Sequence, residues 1–216
     1  MDASPDDIAA KSALEKLSLC TWCLERFRIA IRSLLDDIHI AEWNSEINQK
    51  TMLWVNGRYT IDWLISELQT KTNDAETFMW NDDFDDLDSI RRGEYFDALR
   101  KIDKDTKKLQ KQYTYYTILG NIEYREATIR ELDSILKRSY HYVTYRKWVG
   151  ALRRRWLTMH KRRIKNLEQR ICYECMMTIR TIEQAISHPL FRDISVEKRD
   201  YYHSRWKHYQ DELWAK

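Results

Sequence analysis

The sequence predicts an all-α protein, an elongated bundle of about five helices with coiled-coil-like heptad packing, and three observations carry that reading. Gly 4 and Pro 2 in 216 residues are too few for the turns of a sandwich, a barrel or a Rossmann fold. Apolar residues recur at steps of three and four over long stretches, which is the period of one helix face. Charged residues at 33% accompany aromatics at 12%, and so many aromatic side chains need a core to occupy. The chain is long enough to bury one.

The first helix opens at Ser4-Pro5-Asp6-Asp7: a serine cap, proline in the first turn and acids at the positive end of the helix dipole. Its apolar seam then runs Ala10, Ala13, Leu17, Cys20, Leu24, Phe27, Ile31, Leu34 and Ile38, alternating three and four without a break. Leu14, Cys23, Ala30 and Leu35 widen that seam toward a bundle face. The helix is expected to end between Trp43 and Lys50. Across residues 52–61, Asn56-Gly57 reads either as a β-hairpin turn or as a helix-to-helix turn with Gly57 in a left-handed conformation. Ile61, Leu64, Ile65 and Leu68 mark a second helix.

Residues 71–89 read as an acidic linker, because clustered aspartates are poor helix formers and repel one another. A calcium loop starting at Asp83 fails, since its sixth position holds Asp88 where glycine is required. Phe78, Met79, Trp80 and Phe84 give this segment something to anchor. A third helix is expected from Leu87 or Ser89 through Gln112, ending near Leu119-Gly120, with Asn121 capping a central run. That run carries Ile122, Ile129, Leu132, Leu136, Val143, Val149, Leu152, Trp156 and Met159, then Ile164, Leu167, Ile171, Cys175, Ile179, Ile182 and Ile186. Unbroken, it would extend about 100 Å, so breaks are expected within Tyr140–Tyr145 and at Gly150. His188-Pro189 ends the run, and Ser195 caps a last helix bearing Tyr201, Tyr202, Trp206, Tyr209 and Trp214.

The net charge of +3 conceals an asymmetry: residues 1–100 hold 11 Lys/Arg against 20 Asp/Glu, and residues 101–216 hold 26 against 14. The chain is accordingly read as one helical domain, 1–216, with an acidic half (1–70), the acidic linker (71–89) and a basic half (90–216). Such a split fits a polyanion-binding half, two halves that attract each other, or both. No apolar run approaches the roughly 18 residues of a transmembrane helix. Residues 1–7 lack the basic start and apolar core of a signal peptide. An intracellular protein, cytoplasmic or nuclear, with no membrane partner is expected.

The basic charge concentrates on the central run. Lys147, Arg154, Lys161 and Lys165 share one helical face, with Arg155 and Arg162 on a ridge beside them. Between residues 146 and 170 there are ten basic residues and one acid, Glu168. The rise from Lys147 to Lys165 is about 27 Å, enough to follow several phosphates of a nucleic-acid backbone. Arginine suits phosphate because its planar fork offers paired donors. Trp148, Trp156 and His160 are interleaved, either as core residues or as platforms on which unpaired bases stack. The six basic residues are the candidate nucleic-acid contacts, with RNA favoured over DNA. The competing readings are an acidic protein surface, a stripe that pairs within the fold, and an adaptor that binds a protein partner or itself through apolar seams.

All four cysteines lie in two Cys-x-x-Cys pairs, Cys20/Cys23 and Cys172/Cys175. Four thiolates can close a tetrahedral zinc site. Alternatively Cys20 and Cys175, which continue apolar seams, are buried packing residues. The zinc reading places the first helix beside Cys172. Neither pair follows a strand at a helix N-terminus, the setting of redox motifs.

Arg155-Trp156-Leu157-Thr158-Met159-His160 fits an Arg-x4-His spacing and resembles the motif of helical HEPN-type ribonucleases, which implies an arginine and a histidine acting on RNA. Arg32 and His39 fit its longer-spaced form. Tryptophan stands after Arg155 where that family usually has a polar residue. No Gly-rich phosphate loop, His-Glu-x-x-His motif or nucleophile elbow occurs, and the chain is read as a non-enzyme.

Overall fold

The computed structural model describes residues 4–39, 47–146 and 154–214, and their side chains except at 35–39, 47–55, 142–146, 154–157 and 214. Among the described residues six α-helices follow in order: α1 (Pro5–His39), α2 (Ile47–Phe78), α3 (Asp82–Asp85), α4 (Ser89–Arg146), α5 (Arg154–Ser187) and α6 (Val196–Trp214), with a 3-10 turn at Pro189–Asp193 before the last. The fold is all-α, and no strand occurs among the described residues. No described helix is long and apolar enough to cross a membrane. The chain divides into two compact units, Met1–Ala41 with Gln49–Tyr116, and Glu42–Asn48 with Thr117–Lys216. Helix α4 contributes its first half to one unit and its second half to the other.

In the first unit, α1 starts as its sequence predicts. The Ser4 hydroxyl accepts the Asp7 amide at 3.2 Å and donates to the Asp7 carboxylate at 2.9 Å. The seam residues Ala13, Cys20, Leu24, Phe27, Ile31 and Leu34 are all buried. They divide between two clusters. Toward the end of α1, Cys23, Leu24, Phe27, Ile31 and Leu34 pack with Ile61, Leu64 and Leu68 of α2 and Leu109 and Tyr113 of α4. Toward its start, Ala9, Ala13 and Cys20 pack with Ala75, Phe78, Phe84, Leu87, Tyr95, Leu99 and Ile102. Each large apolar side chain buried here contributes about 1.5–3 kcal/mol.

Three expectations are corrected along α2, α3 and α4. Residues 52–61 form neither a hairpin nor a turn, because α2 runs through Asn56-Gly57. Leu34 Cδ1 of α1 lies 3.4 Å from where a Cβ on Gly57 would stand, an ordinary contact, so the helix carries the glycine at the cost of its low propensity alone. Residues 71–78 of the expected linker continue α2. Its remainder turns through α3, whose Phe84 meets Phe78, Tyr95 and Phe96 edge-on or tilted at 5.5–5.7 Å between centroids. The aromatic side chains, each carrying a large apolar surface, outweigh the repulsion of the aspartates around them. Finally, α4 does not stop near Leu119-Gly120; both residues are buried inside one helix.

In the second unit, α4, α5 and α6 pack together. Arg125 on α4 pairs with Glu174 on α5 at 2.7 Å, and farther along α4 the Tyr140 hydroxyl donates to Glu168, so the two helices run antiparallel. The indole of Trp206 on α6 donates to Glu183 on α5 at 3.1 Å. Buried apolar residues come from every element: Ile122, Ile129, Leu132 and Leu136 of α4, Ile164, Leu167, Ile171, Cys175 and Ile182 of α5, Phe191 of the 3-10 turn, and Tyr202 and Tyr209 of α6. The central run ends at Ser187 and the last helix starts at Val196, where the sequence puts them. The His188 side chain accepts the Leu190 amide at 3.3 Å, and the Ser195 hydroxyl accepts the Lys198 amide at 3.4 Å. The expected break within Tyr140–Tyr145 is absent, since α4 continues to Arg146. Gly150 lies outside the described residues. Met159, placed on the seam by sequence, is 64% exposed, because the buried face of α5 begins at Ile164.

Candidate nucleic-acid interface

The buried line Ile164, Leu167, Ile171, Cys175, Ile182 fixes how α5 is rotated. At 100° per residue, Lys161 and Lys165 fall about 80–100° from that line and Arg162 nearly opposite it. All three are exposed. Among the described residues no ion pair engages them. Arg163 and Arg170 are exposed on the far flank. Arg154 and Arg155 occupy the first turn of α5, their side chains lying beyond the described set. Lys147, with Trp148, lies outside the described residues altogether. The structure therefore brings together three of the six predicted contacts on one solvent face. The lone acid of the stretch, Glu168, is turned toward α4, where it accepts the Tyr140 hydroxyl.

Arg162 also belongs to a ridge that the sequence reading missed. Met159, Arg162, Asn166, Gln169, Tyr173, Met176 and Arg180 alternate steps of three and four and are exposed at every position. Tyr173 is 54% exposed. The ridge was legible as a second three-four repeat, opposite the buried one.

A second polar group in this unit lies inside. Glu126 is 1% exposed and receives the Arg205 guanidinium at 2.7 Å, while Arg130 stands 4.0 Å from its other oxygen. Arg205 also donates to the Tyr209 hydroxyl at 2.9 Å, and its cation lies 5.1 Å from that ring's centroid. Burial, then the neighbouring Glu126 charge, pushes the Glu123 carboxyl up to about 7. The Tyr201 phenol is pushed up to about 12, by burial first and by Glu126 and Glu123 next. The signal for this cluster was a gap. The α4 seam steps seven residues from Ile122 to Ile129, and Glu126 occupies the missing apolar position.

The cysteines are free thiols. Cys20 and Cys23 lie in the two core clusters of the first unit, and burial raises both thiols above their ordinary value, aided at Cys20 by Cys23 and at Cys23 by Glu67. Cys175 is buried and Cys172 partly buried in the second unit. Among the described residues, no three His, Cys, Asp or Glu side chains are grouped to hold a metal ion. Of the Arg-x4-His pair, His160 is partly buried on α5 and the Arg155 side chain is beyond the described set. Arg32 is exposed on α1, and the His39 side chain is likewise beyond it.

Fold and site together give an all-α protein whose α5 exposes Lys161, Arg162 and Lys165 with no carboxylate partner among the described residues. No family model matches the chain, and no curated protein or solved structure is similar to it.

Proposed function

We propose that the protein is a non-catalytic binding protein that holds nucleic acid, RNA rather than DNA, along the solvent face of α5. The observation that carries this reading is the set Lys161, Arg162 and Lys165, exposed together without a described carboxylate partner. Cations left unpaired on a rigid helix are preorganised for phosphate, and each phosphate engaged releases condensed counterions. Arg154, Arg155 and Lys147 extend the same stripe in sequence. Tyr173 and the amides of Asn166 and Gln169, on the adjoining ridge, offer a stacking surface and hydrogen bonds to unpaired bases, which favours single-stranded RNA over a duplex.

The test is a titration of labelled single-stranded RNA at several salt concentrations, with Lys161→Gln/Arg162→Gln/Lys165→Gln alongside and helicity monitored. The expected result is log-linear weakening with salt in the native protein. The variant should lose about 2 from that slope, three contacts at about 0.7 each. Absence of binding at low salt, or an unchanged slope in the variant, overturns the proposal.

A second reading has one observation in its favour. In the first unit Trp22 and Trp63 are 52% and 54% exposed, and the Arg26 guanidinium lies 4.5 and 5.6 Å from their ring centroids. Tryptophan and arginine dominate protein–protein hot spots, so an adaptor would dock its partner there. Its binding would be weakened by Trp22→Ala and only slightly by salt.

A further inference from the structure

Between α1 and α4 in the first unit lies a cleft of about 400 Å³, within the range of small-molecule sites. Ile31 and Leu109, 3% and 6% exposed, form an apolar floor. Arg28 and Arg32 stand one turn apart on α1, and Lys108 and Gln112 one turn apart on α4. Three cations thus converge on one concavity. Two carboxylates bear on Arg28: Glu25 at 2.6 Å and, on the cleft wall, Asp105 at 4.0 Å. These fix the Arg28 guanidinium in place. Arg32 and Lys108 have no described carboxylate partner.

The first unit carries 16 Lys/Arg against 20 Asp/Glu, and elsewhere in it Arg91 pairs with Asp6 at 2.6 Å, Lys107 with Asp103 at 2.7 Å and Arg92 with Asp85 at 3.7 Å, whereas Arg32 and Lys108 lie together on the cleft walls. An extended polyanion would be repelled by the acidic unit around the cleft, whereas a small anion that fits inside would not. We infer that this cleft is a binding site for a small phosphate monoester with a hydroxylated carbon body. The phosphate dianion sits between the Arg28, Arg32 and Lys108 side chains, where guanidinium forks supply paired donors. The body lies over Ile31 and Leu109 beside Tyr116, and its hydroxyls meet Asp105 as acceptor and the Gln112 amide as donor and acceptor.

The site is independent of the α5 face, and it is tested on the full chain by calorimetric titration with three esters (ribose 5-phosphate, glucose 6-phosphate and AMP), with ribose and inorganic phosphate as the two halves. At least one ester is expected to bind about tenfold or more tighter than inorganic phosphate, with ribose silent. Arg32→Gln/Lys108→Gln should weaken that ester by about 10- to 100-fold, leaving the ligand-free unfolding midpoint and the RNA titration unchanged. Lys107→Gln, whose cation pairs with Asp103, serves as the charge control and should leave binding intact. Failure of all three esters to bind, inorganic phosphate binding as tightly as its esters, or equal affinity in the Arg32/Lys108 variant would each overturn the assignment.

Discussion

The two compact units place their buried charge differently. In the first, the core is dry: its two clusters are apolar and aromatic, and its tyrosine hydroxyls reach partners, Tyr95 donating to the Ala75 carbonyl at 2.8 Å and Tyr113 to Asp62 at 2.7 Å. Several of its cations are paired at the surface, Arg91 with Asp6, Arg92 with Asp85 and Lys107 with Asp103. In the second, a carboxylate is taken inside and clamped by Arg205, while Lys161, Arg162 and Lys165 of α5 are exposed with no carboxylate partner among the described residues. Surface pairs of the first kind are worth little, about 0–1 kcal/mol, and chiefly cancel field. Two acids of the second unit are engaged away from the α5 cations, Glu126 by Arg205 and Glu168 by Tyr140. For a polyanion, the second unit's 21 basic residues against 14 acidic ones matter less than the exposure of Lys161, Arg162 and Lys165 with no carboxylate partner among the described residues.

The comparison can be broken most directly at its two centres. Arg205→Leu strands Glu126, 1% exposed, without its close cation, and should destabilise the second unit by about 3–5 kcal/mol. Replacing both partners, Glu126→Leu/Arg205→Leu, should recover most of that loss, since a well-packed apolar pair can match a buried ion pair. Phe27→Ala should destabilise the first unit by a similar amount, about 3–5 kcal/mol, through the cavity it leaves. Hydrogen exchange resolves the two: Arg205→Leu should lose protection in residues 117–146 and in α5 and α6, and Phe27→Ala in α1 and α2. Equal loss in both units for either variant would mean that they do not behave as separate cooperative bodies.

Titration separates the units next. The folded Glu123 carboxyl is raised to about 7 from 4.5. Between those values the folded chain holds a proton that the unfolded chain has released. The contribution is therefore full below about pH 4.5 and is lost as pH rises through 7. Arg130 and Arg205 face Glu123 and oppose the shift, while Glu126 and burial drive it. Relative to Glu123→Gln, the native second unit should lose about 2 kcal/mol over this window, read from urea unfolding at a series of pH values. Parallel curves for the two proteins would remove the carboxyl from the balance. A smaller effect belongs to the first unit: Tyr95→Phe deletes the hydroxyl that satisfies the Ala75 carbonyl and should cost about 1 kcal/mol, independent of pH across the same range.

How much of this was legible follows from what each signal measures. The α1 seam was readable because alternating three-four spacing reports a face directly, and caps such as Ser4 and Ser195 report a local hydrogen bond. The end of α4 was misplaced because Gly120 was weighed by propensity, a local quantity, while its burial is a tertiary one. The aspartates of 71–89 likewise concealed the helix that carries Ala75 and Phe78; Phe78 and Phe84 were read as anchors of a linker, because the spacing of Ala75, Phe78, Phe84 and Leu87 is set by a helix end and a turn rather than by one period. The basic stripe was visible as composition. Which of its members share an exposed face depended on the rotation of α5, and that is fixed by residues from Ile164 onward rather than by the seam continued from α4. The cleft at Arg28, Arg32 and Lys108 left no sequence signal, since its two walls are about 80 positions apart.

The smallest expected effect concerns a reversed reading, and there the sign alone decides. If Gly57 occupied a left-handed turn, as Asn56-Gly57 implies by itself, Gly57→Ala would place a Cβ where L residues are strained and would destabilise by about 1 kcal/mol or more. Within α2, the same change removes the entropic penalty of a helical glycine and adds a Cβ at 3.4 Å from Leu34 Cδ1, an ordinary contact. The expected outcome is stabilisation by about 0.5–1 kcal/mol. Gly93 in α4 is the internal reference, since a Cβ there meets nothing within 4 Å; Gly93→Ala should gain a similar amount through propensity alone. Urea unfolding of the two variants therefore brackets the α1–α2 contact. A Gly57→Ala gain matching that of Gly93→Ala means the helices already leave room for a methyl group. A smaller gain measures how far Leu34 must yield, and a loss would restore the turn.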